Sequence, residues 1–216
     1  MPSQKILRSP FKAIQFEYIL LEKTNQDPEF IKKTIAESIS VKEKMGQELS
    51  DTILQISKCI SETLLKSGTV YLFGNGGSAA DSQHVAAEFV GRFARERRPL
   101  PAEALTTNTS ALTAIGNDYD FTEIFARQIR ARVQPKDVVV GISTSGRSMN
   151  VIKGLRTAKD MGAKTIGFTG SDPNLMKDVT DYCLCVPSKN TPRIQEAHIL
   201  AWHIICDLVE TIVIKD

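Results

Sequence analysis

Apolar positions recur every three or four residues over the first part of the chain, between Glu29 and Lys66. The positions that carry this period are Ile31, Ile35, Ile39, Leu49, Ile53, Ile56, Ile60 and Leu64. This spacing is typical of amphipathic helices, because one face of a helix returns every 3.6 residues. The pattern predicts two helices over residues 29–66, whose apolar stripes need a surface to pack against. Residues 1–28 are mixed in character and are predicted to form an N-terminal extension or a short extra helix.

Beyond Gly68 the pattern changes to short, nearly continuous apolar runs separated by helical stretches. Five runs have this character: TVYLF (69–73), AEALTT (102–107), DVVVGIS (137–143), KTIGFT (164–169) and YCLCV (182–186). Apolar strands that alternate with helices are typical of a parallel sheet covered on both faces. We therefore expect an α/β fold, a doubly wound, parallel, five-stranded sheet flanked by helices. Residues 29–216 are predicted to be one domain that includes the N-terminal helical pair.

Composition and charge indicate which kind of molecule the protein binds. The 27 basic and 25 acidic residues leave a formal net charge of +2, which provides no broad field for nucleic acid or a membrane surface. The N-terminal residues lack the apolar core of a signal peptide. The cysteines, Cys59, Cys183, Cys185 and Cys206, lack metal-ribbon or redox spacing and are interpreted as buried thiols, with Cys183 and Cys185 expected on opposite sheet faces. These features predict a reduced, cytoplasmic protein that acts on a small molecule.

Polar clusters follow the first three predicted strands, at their carboxyl ends. They are GNGGS (74–78), NTS (108–110) with GNDYD (116–120), and STSGRS (143–148). Each cluster opens onto a helix, so free N–H groups and helix dipoles could converge on an anion in one crevice. The alternative is that these residues only make turns and caps. No lysine follows in the position of a nucleotide P-loop, and no acidic residue follows the second strand as a dinucleotide site requires.

Two helices carry side chains that could move protons or hold a metal. His84 and Glu88 are four apart and share a helix face. Gln195 and His203, eight apart, lie about 80° apart around a helix axis and can face one site. For His203 alone, a purely structural place in an apolar helix is the competing interpretation, and His198 is predicted to be structural. The charges of the segment RERRPL (95–100) are predicted to lie in a solvated turn or a subunit-contact turn.

Four segments together resemble one known family. GNGGSAADSQHVAAEFVGRF, GNDYDF, GISTSGRSMNVIKGL and RIQEAHILAWHIICDLVE resemble the sedoheptulose 7-phosphate isomerases, or phosphoheptose isomerases, of the sugar isomerase (SIS) superfamily. The resemblance covers roughly residues 30–214 in the expected order. It implies a flavodoxin-like SIS fold, and an aldose–ketose isomerase that converts D-sedoheptulose 7-phosphate to D-glycero-D-manno-heptose 7-phosphate. That product is a heptose precursor for lipopolysaccharide, capsule or another surface glycan.

The resemblance also implies roles for particular residues. Glu88 and His203 would be the catalytic acid–base pair. The substrate would be bound by Asn75, Gly76, Gly77, Ser78, Glu88, Asn117, Asp118, Ser143, Thr144, Ser145, Ser148 and Gln195, with the four hydroxyl residues from 143 to 148 on the phosphate. One zinc ion per subunit would be held by His84, Glu88, Gln195 and His203. A homotetramer is implied, with each active site at a subunit interface.

Two other functions stay open at this point. A catalytically silent SIS protein that binds a sugar phosphate or a protein partner would share the fold and the phosphate loop. An isomerase of a different phosphorylated sugar would share the chemistry as well, because the motifs define phosphate and enediol chemistry more sharply than sugar length.

Overall fold

The computed structural model describes residues 28–171 and 174–215. The chain divides into two units, residues 1–40 and 41–216. In the first unit the described residues begin helix α1 (Pro28–Glu48), where four large apolar side chains are exposed: Phe30, Ile31, Ile35 and Ile39. The extension predicted over residues 1–28 lies, except for Pro28, outside the described residues.

The second unit holds a five-stranded parallel sheet and the helices that cover it. The strands are β1 (Val70–Gly74), β2 (Ala102–Ala104), β3 (Val138–Ile142), β4 (Lys164–Thr169) and β5 (Tyr182–Cys185). The further helices are α2 (Ser50–Leu65), α3 (Gly77–Val90), α4 (Thr109–Asp118), α5 (Ala126–Arg132), α6 (Met149–Asp160), α7 (Asn174–Asp178) and α8 (Thr191–Lys215), with a 3₁₀ turn at Phe121–Glu123. The spatial order is β2-β1-β3-β4-β5. The predicted doubly wound α/β fold is confirmed.

The central strands explain why the sheet is buried on both sides. All residues of β1 and β3 are buried, and the two strands pair in register from Val70 with Val138 to Gly74 with Ile142. Strand β2 is shorter than the run predicted at 102–107. It ends at Ala104 because the N–H of Thr107 turns back to the Ala104 carbonyl.

One hydrophobic core lies on each face of the sheet. The first is covered by α2, α3 and α8, with Trp202 stacked on Phe168 at 4.5 Å between ring centres. The second is covered by α5 and α6, with Phe73 against Phe125 at 4.7 Å. Residues Thr191–Ile214 are long and apolar enough to span a membrane by length and composition, but half of this stretch is buried, as expected for a core helix.

The cysteines are partly as predicted. Cys59 and Cys206 are buried, whereas Cys183 and Cys185 are only half-buried. The expectation that the last two point to opposite faces is wrong, since their sulfur atoms lie 3.6 Å apart. Residues two apart in a strand project from the same face.

Candidate active site

The site begins where β1 and β3 end side by side, because the chain leaves these neighbouring strands in opposite directions across the sheet. Such a switch point forms a crevice in doubly wound folds. Asn75, after β1, and Asn150, in the first turn of α6, bridge it through two amide hydrogen bonds of 2.9 and 2.8 Å. Sequence reasoning missed Asn150, whose only signal was an amide directly after the serine loop.

The glycine loop after β1 needs two of its glycines for different reasons. Gly76 has φ +54°, in the left-handed region that favours glycine. At Gly77, an added Cβ would overlap the side-chain amide of Gln195. The Gln195 amide from α8 therefore lies against the start of α3. Two predicted site residues, Gly77 and Gln195, meet at the crevice. Ser78 is buried at the same helix start.

The reactive side chains come together between α3 and α8. His84 Nε2 lies 3.5 Å from Glu88 Oε1 and 3.2 Å from His203 Nε2. The His84 side chain is 45% exposed and that of Glu88 is 22% exposed, so the cluster is open to a ligand but partly shielded. The Phe93 ring lies 5.6 Å from the His203 ring. His84 thus joins the two residues predicted to be the acid–base pair.

Asp81 is a neighbour of this cluster that sequence reasoning missed. It lies one turn before His84 on the same face of α3, at a helical spacing that could have been noticed. Burial raises the pKa of its carboxyl group, opposed by the nearby His84. Its Oδ2 is buried without a hydrogen-bond partner among the described residues. Asp81 therefore places a second carboxyl group near His84.

The serine loop after β3 forms the predicted hydroxyl cluster. Ser143 Oγ lies 2.9 Å from Ser148 Oγ and 3.4 Å from Ser145 Oγ, and Gly146 turns the loop at φ +65°. A neighbouring pocket of about 280 Å³ is lined by Thr144, Ser145, Arg147, Ser171, Ser188 and Lys189, among others. The two cations were missed by sequence reasoning and suit an anionic ligand. A larger pocket, about 360 Å³, lies where the strands begin and includes none of the predicted site residues.

Asn117 and Asp118 are not joined to the rest of the site. Both are exposed at the end of α4, and the Asn117 amide donates to Asp118 Oδ1 at 2.9 Å. Within residues 28–171 and 174–215, no hydrogen bond links either one to the other predicted site residues. Their predicted contact with substrate stays a prediction.

A buried ion pair ties the end of α3 to α8. Glu210 is buried, and its carboxylate accepts hydrogen bonds from the backbone N–H groups of Phe93, Ala94 and Arg95. Arg97 Nε lies 3.0 Å from Glu210 Oε1, and both side chains are almost fully buried. Burial would raise the Glu210 pKa, but the three N–H groups and Arg97 outweigh it and lower it. The predicted solvated turn is therefore wrong for Arg97, although Arg95 is half-exposed.

The residues implied as zinc ligands offer suitable atoms: two imidazole nitrogens, a carboxylate and an amide oxygen. The 3.2 Å between His84 Nε2 and His203 Nε2 is close to the ~3.3 Å that separates two nitrogens on one tetrahedral zinc. Over the part of the chain that is described, no three His, Cys, Asp or Glu side chains already converge as a metal site. The separation of the two imidazole nitrogens therefore suits zinc, and Glu88 Oε1 lies 3.5 Å from His84 Nε2.

Comparison with known proteins decides the family. A family model described as SIS domain matches residues 35–170. A phosphoheptose isomerase from Aquifex aeolicus is 52% identical over 185 residues, covering 86% of this chain and 97% of the relative. Another, from a Roseiflexus species, is 52% identical over 82% of this chain and 89% of its own length. The chain belongs to the phosphoheptose isomerase family of SIS-domain proteins.

Solved structures agree with this assignment. The phosphoheptose isomerase of Neisseria gonorrhoeae superposes with a TM-score of 0.80 at 42% identity, over 85% of this chain and 98% of that one. That of Francisella tularensis gives the same TM-score at 33% identity, over 85% and 97%. Phosphoheptose isomerases are phosphosugar isomerases, and this chain is an enzyme of that class.

Proposed function

We propose that this chain interconverts D-sedoheptulose 7-phosphate and D-glycero-D-manno-heptose 7-phosphate, the entry to heptose for a surface glycan. The observation that carries the proposal is the convergence of Glu88 and His203, from two helices, on one atom, His84 Nε2. The Gln195 amide lies beside the glycine loop at the same crevice. The names of the relatives supply the substrate class.

The chemistry needs one proton moved between adjacent carbons and another moved between their oxygens. A base removes the proton next to the carbonyl, and an enediol forms. An acid–base partner then exchanges the protons on the two oxygens. Glu88 and His203 provide a carboxylate and an imidazole for these two tasks. The partly shielded position of Glu88 keeps bulk water from competing for the carbon-bound proton.

The phosphate is proposed to bind at the serine loop. The Ser143 hydroxyl lies 3.4 Å from that of Ser145 and 2.9 Å from that of Ser148, just before the start of α6. A helix N-terminus offers unpaired N–H groups and a favourable dipole for a phosphate. Lys189 lines the adjoining pocket and adds positive charge. Holding the phosphate here fixes the far end of the sugar while its carbonyl end reaches the crevice.

Zinc is proposed to be held by His84, His203 and Glu88, with Gln195 as a further oxygen donor. When bound, it would supply Lewis acidity toward the sugar oxygens. The chain's own part is to orient the two imidazoles and to free Glu88 for proton transfer when substrate binds. Removal of zinc by a strong chelator should lower the Tm, because a ligand bound only to the native state favours folding. His84→Ala should lose zinc, measured by metal analysis, while circular dichroism shows a folded protein.

A cytoplasmic homotetramer is the assembly that we propose. It is supported by the exposed apolar residues at the start of α1, Phe30, Ile31, Ile35 and Ile39, which would be costly to leave in water. Light scattering of the purified protein tests the assembly, and a monomer would contradict it.

The test of function is an NMR time course with labelled sedoheptulose 7-phosphate, with and without added zinc. The enzyme should form the aldose, whereas a silent binder would shift resonances without forming it. A panel of pentulose, hexulose and heptulose phosphates compared by kcat/KM then tests sugar length. A preference for a shorter sugar would overturn the substrate and leave the isomerase chemistry in place.

A further inference from the structure

Two asparagine side chains cross-link the segments that follow β1 and β3. Asn75 Nδ2 donates to Asn150 Oδ1 at 2.9 Å, and Asn150 Nδ2 donates to Asn75 Oδ1 at 2.8 Å. A third bond reaches the same oxygen, because the backbone N–H of Val151 donates to Asn150 Oδ1 at 2.9 Å. The start of α6, directly after the serine loop, is thereby tied to the glycine loop.

The third bond fixes which way both amides face. A backbone N–H can only donate, so the atom of Asn150 that lies beside the Val151 N–H is the oxygen. Asn75 then presents its nitrogen to that oxygen, and its own oxygen to the Asn150 nitrogen. Each amide in such a reciprocal pair uses one of its two N–H groups. Asn75 therefore keeps a second N–H on the edge that is turned away from Asn150.

Asn75 is the accessible member of the pair. Asn150 is 3% exposed, whereas Asn75 is half-buried. The Asn75 backbone is held as well, since its carbonyl accepts a hydrogen bond of 3.0 Å from the Ser78 N–H in the first turn of α3. That helix carries His84 and Glu88. With so little of its surface exposed, Asn150 acts on a ligand through its neighbours rather than by direct contact.

We propose that Asn150 is a positioning residue, which holds the Asn75 amide so that its second N–H donates to an oxygen of the sugar. The inference rests on the proposed function, because it takes Asn75 as a contact of the phosphosugar. A polar side chain that is already locked in its bound orientation loses less entropy when the ligand binds. The reciprocal pair therefore fixes where the donor lies before the sugar arrives.

The probe for this role is the heptitol 7-phosphate obtained by reducing the ketose, which keeps the phosphate and the hydroxyls but cannot isomerise. Its dissociation constant is compared by calorimetry with that of inorganic phosphate, which reports on the serine loop alone. Asn150→Ala should weaken heptitol phosphate binding about three- to tenfold, the usual effect of losing one hydrogen bond between uncharged groups. Binding of inorganic phosphate should stay within about twofold of the wild type, because the charged contacts of the serine loop are unchanged.

A double-mutant cycle with Asn75→Ala shows whether Asn150 acts through Asn75. In the Asn75→Ala background, Asn150→Ala should change the heptitol phosphate affinity by less than about twofold, because two residues that act as one unit are not additive. Asn150→Leu is the matched control for packing, since leucine has nearly the same shape without the hydrogen bonds. It should bind heptitol phosphate as weakly as Asn150→Ala does, while circular dichroism shows a folded protein.

The wild-type protein gives a further readout. The NMR signals of the Asn75 side-chain N–H groups should shift when heptitol phosphate binds and stay in place when inorganic phosphate binds. Any one of four results would overturn the proposal: the same loss in both Asn75 backgrounds, wild-type affinity in Asn150→Ala or Asn150→Leu, a parallel loss of inorganic phosphate binding, or Asn75 signals that ignore the heptitol phosphate. Failure of the proposed function looks different, because the wild type would then bind heptitol phosphate but turn over no sedoheptulose 7-phosphate.

Discussion

The Arg97–Glu210 pair makes a quantitative prediction about how the two helices of the active site are held together. Glu210 accepts three backbone hydrogen bonds of 2.7–3.0 Å from the turn after α3. The Arg97 side chain is 2% exposed and lies against it. The Glu210→Gln variant removes the negative charge and leaves a buried cation without its counter-ion. Removing one partner of a buried ion pair costs about 3–5 kcal/mol of unfolding free energy.

That loss is measurable by thermal and urea unfolding. For a chain of this length, each 1 kcal/mol lowers the Tm by about 2–4 °C, so a decrease of roughly 6–20 °C is expected. Arg92→Ala is the matched control, because it removes a pair with Glu96 in which both side chains are mostly exposed. Such a pair contributes about 0–1 kcal/mol.

The same pair is expected to affect catalysis. Arg97 Nη2 donates to the backbone carbonyl of Glu88 at 2.8 Å, so the pair fixes the turn of α3 that carries the proposed catalytic carboxylate. Glu210→Gln should therefore lower kcat at temperatures where the protein remains folded. A Tm within the range of the Arg92→Ala control, with unchanged kcat, would refute the reasoning.

Three further predictions concern separate parts of the fold. Burial lowers the pKa of His198 from 6.5 to about 4. The native state holds the neutral imidazole, so this residue causes no loss of stability above pH ~6.5. As the pH falls to about 4, the free energy of unfolding decreases by about 3 kcal/mol. His198→Gln should flatten this slope in urea unfolding across that pH range, and an unchanged slope would contradict it. Gly77→Ala should displace Gln195 and lower kcat/KM by up to about 100-fold in a folded protein, whereas wild-type kinetics would show that the contact is not needed. Ser143→Ala/Ser145→Ala should raise KM, since each hydrogen bond to a charged group contributes about 1.5–3 kcal/mol, and unaltered affinity would exclude this phosphate site.

The sheet could be predicted from the sequence because parallel strands buried on both faces leave a continuous apolar signature. Val138, Val139 and Val140 show it most clearly, and all three are fully buried. For α3 and α8, the spacing of polar side chains along each helix could be predicted, but not that the two helices meet. Their approach to 3.2 Å between His84 and His203 is a tertiary property that neither helix encodes alone.

The misses have physical causes as well. Arg97 lies in a charged run, and a local pattern cannot show that its carboxylate partner is more than a hundred residues away on α8. Asn150 is a single amide whose partner, Asn75, lies in another loop. The cysteine faces could have been predicted correctly, because the two-residue period of a strand already places Cys183 and Cys185 on one side.

The proposed roles of Glu88 and His203 are tested most directly by single-turnover NMR with sedoheptulose 7-phosphate, in the wild type and in Glu88→Gln and His203→Gln. Both substitutions keep side-chain size while removing the proton-transfer group. The account predicts aldose formation by the wild type, and in each variant substrate binding without detectable turnover, both with and without added zinc. Full turnover by Glu88→Gln in a protein shown to be folded would contradict it.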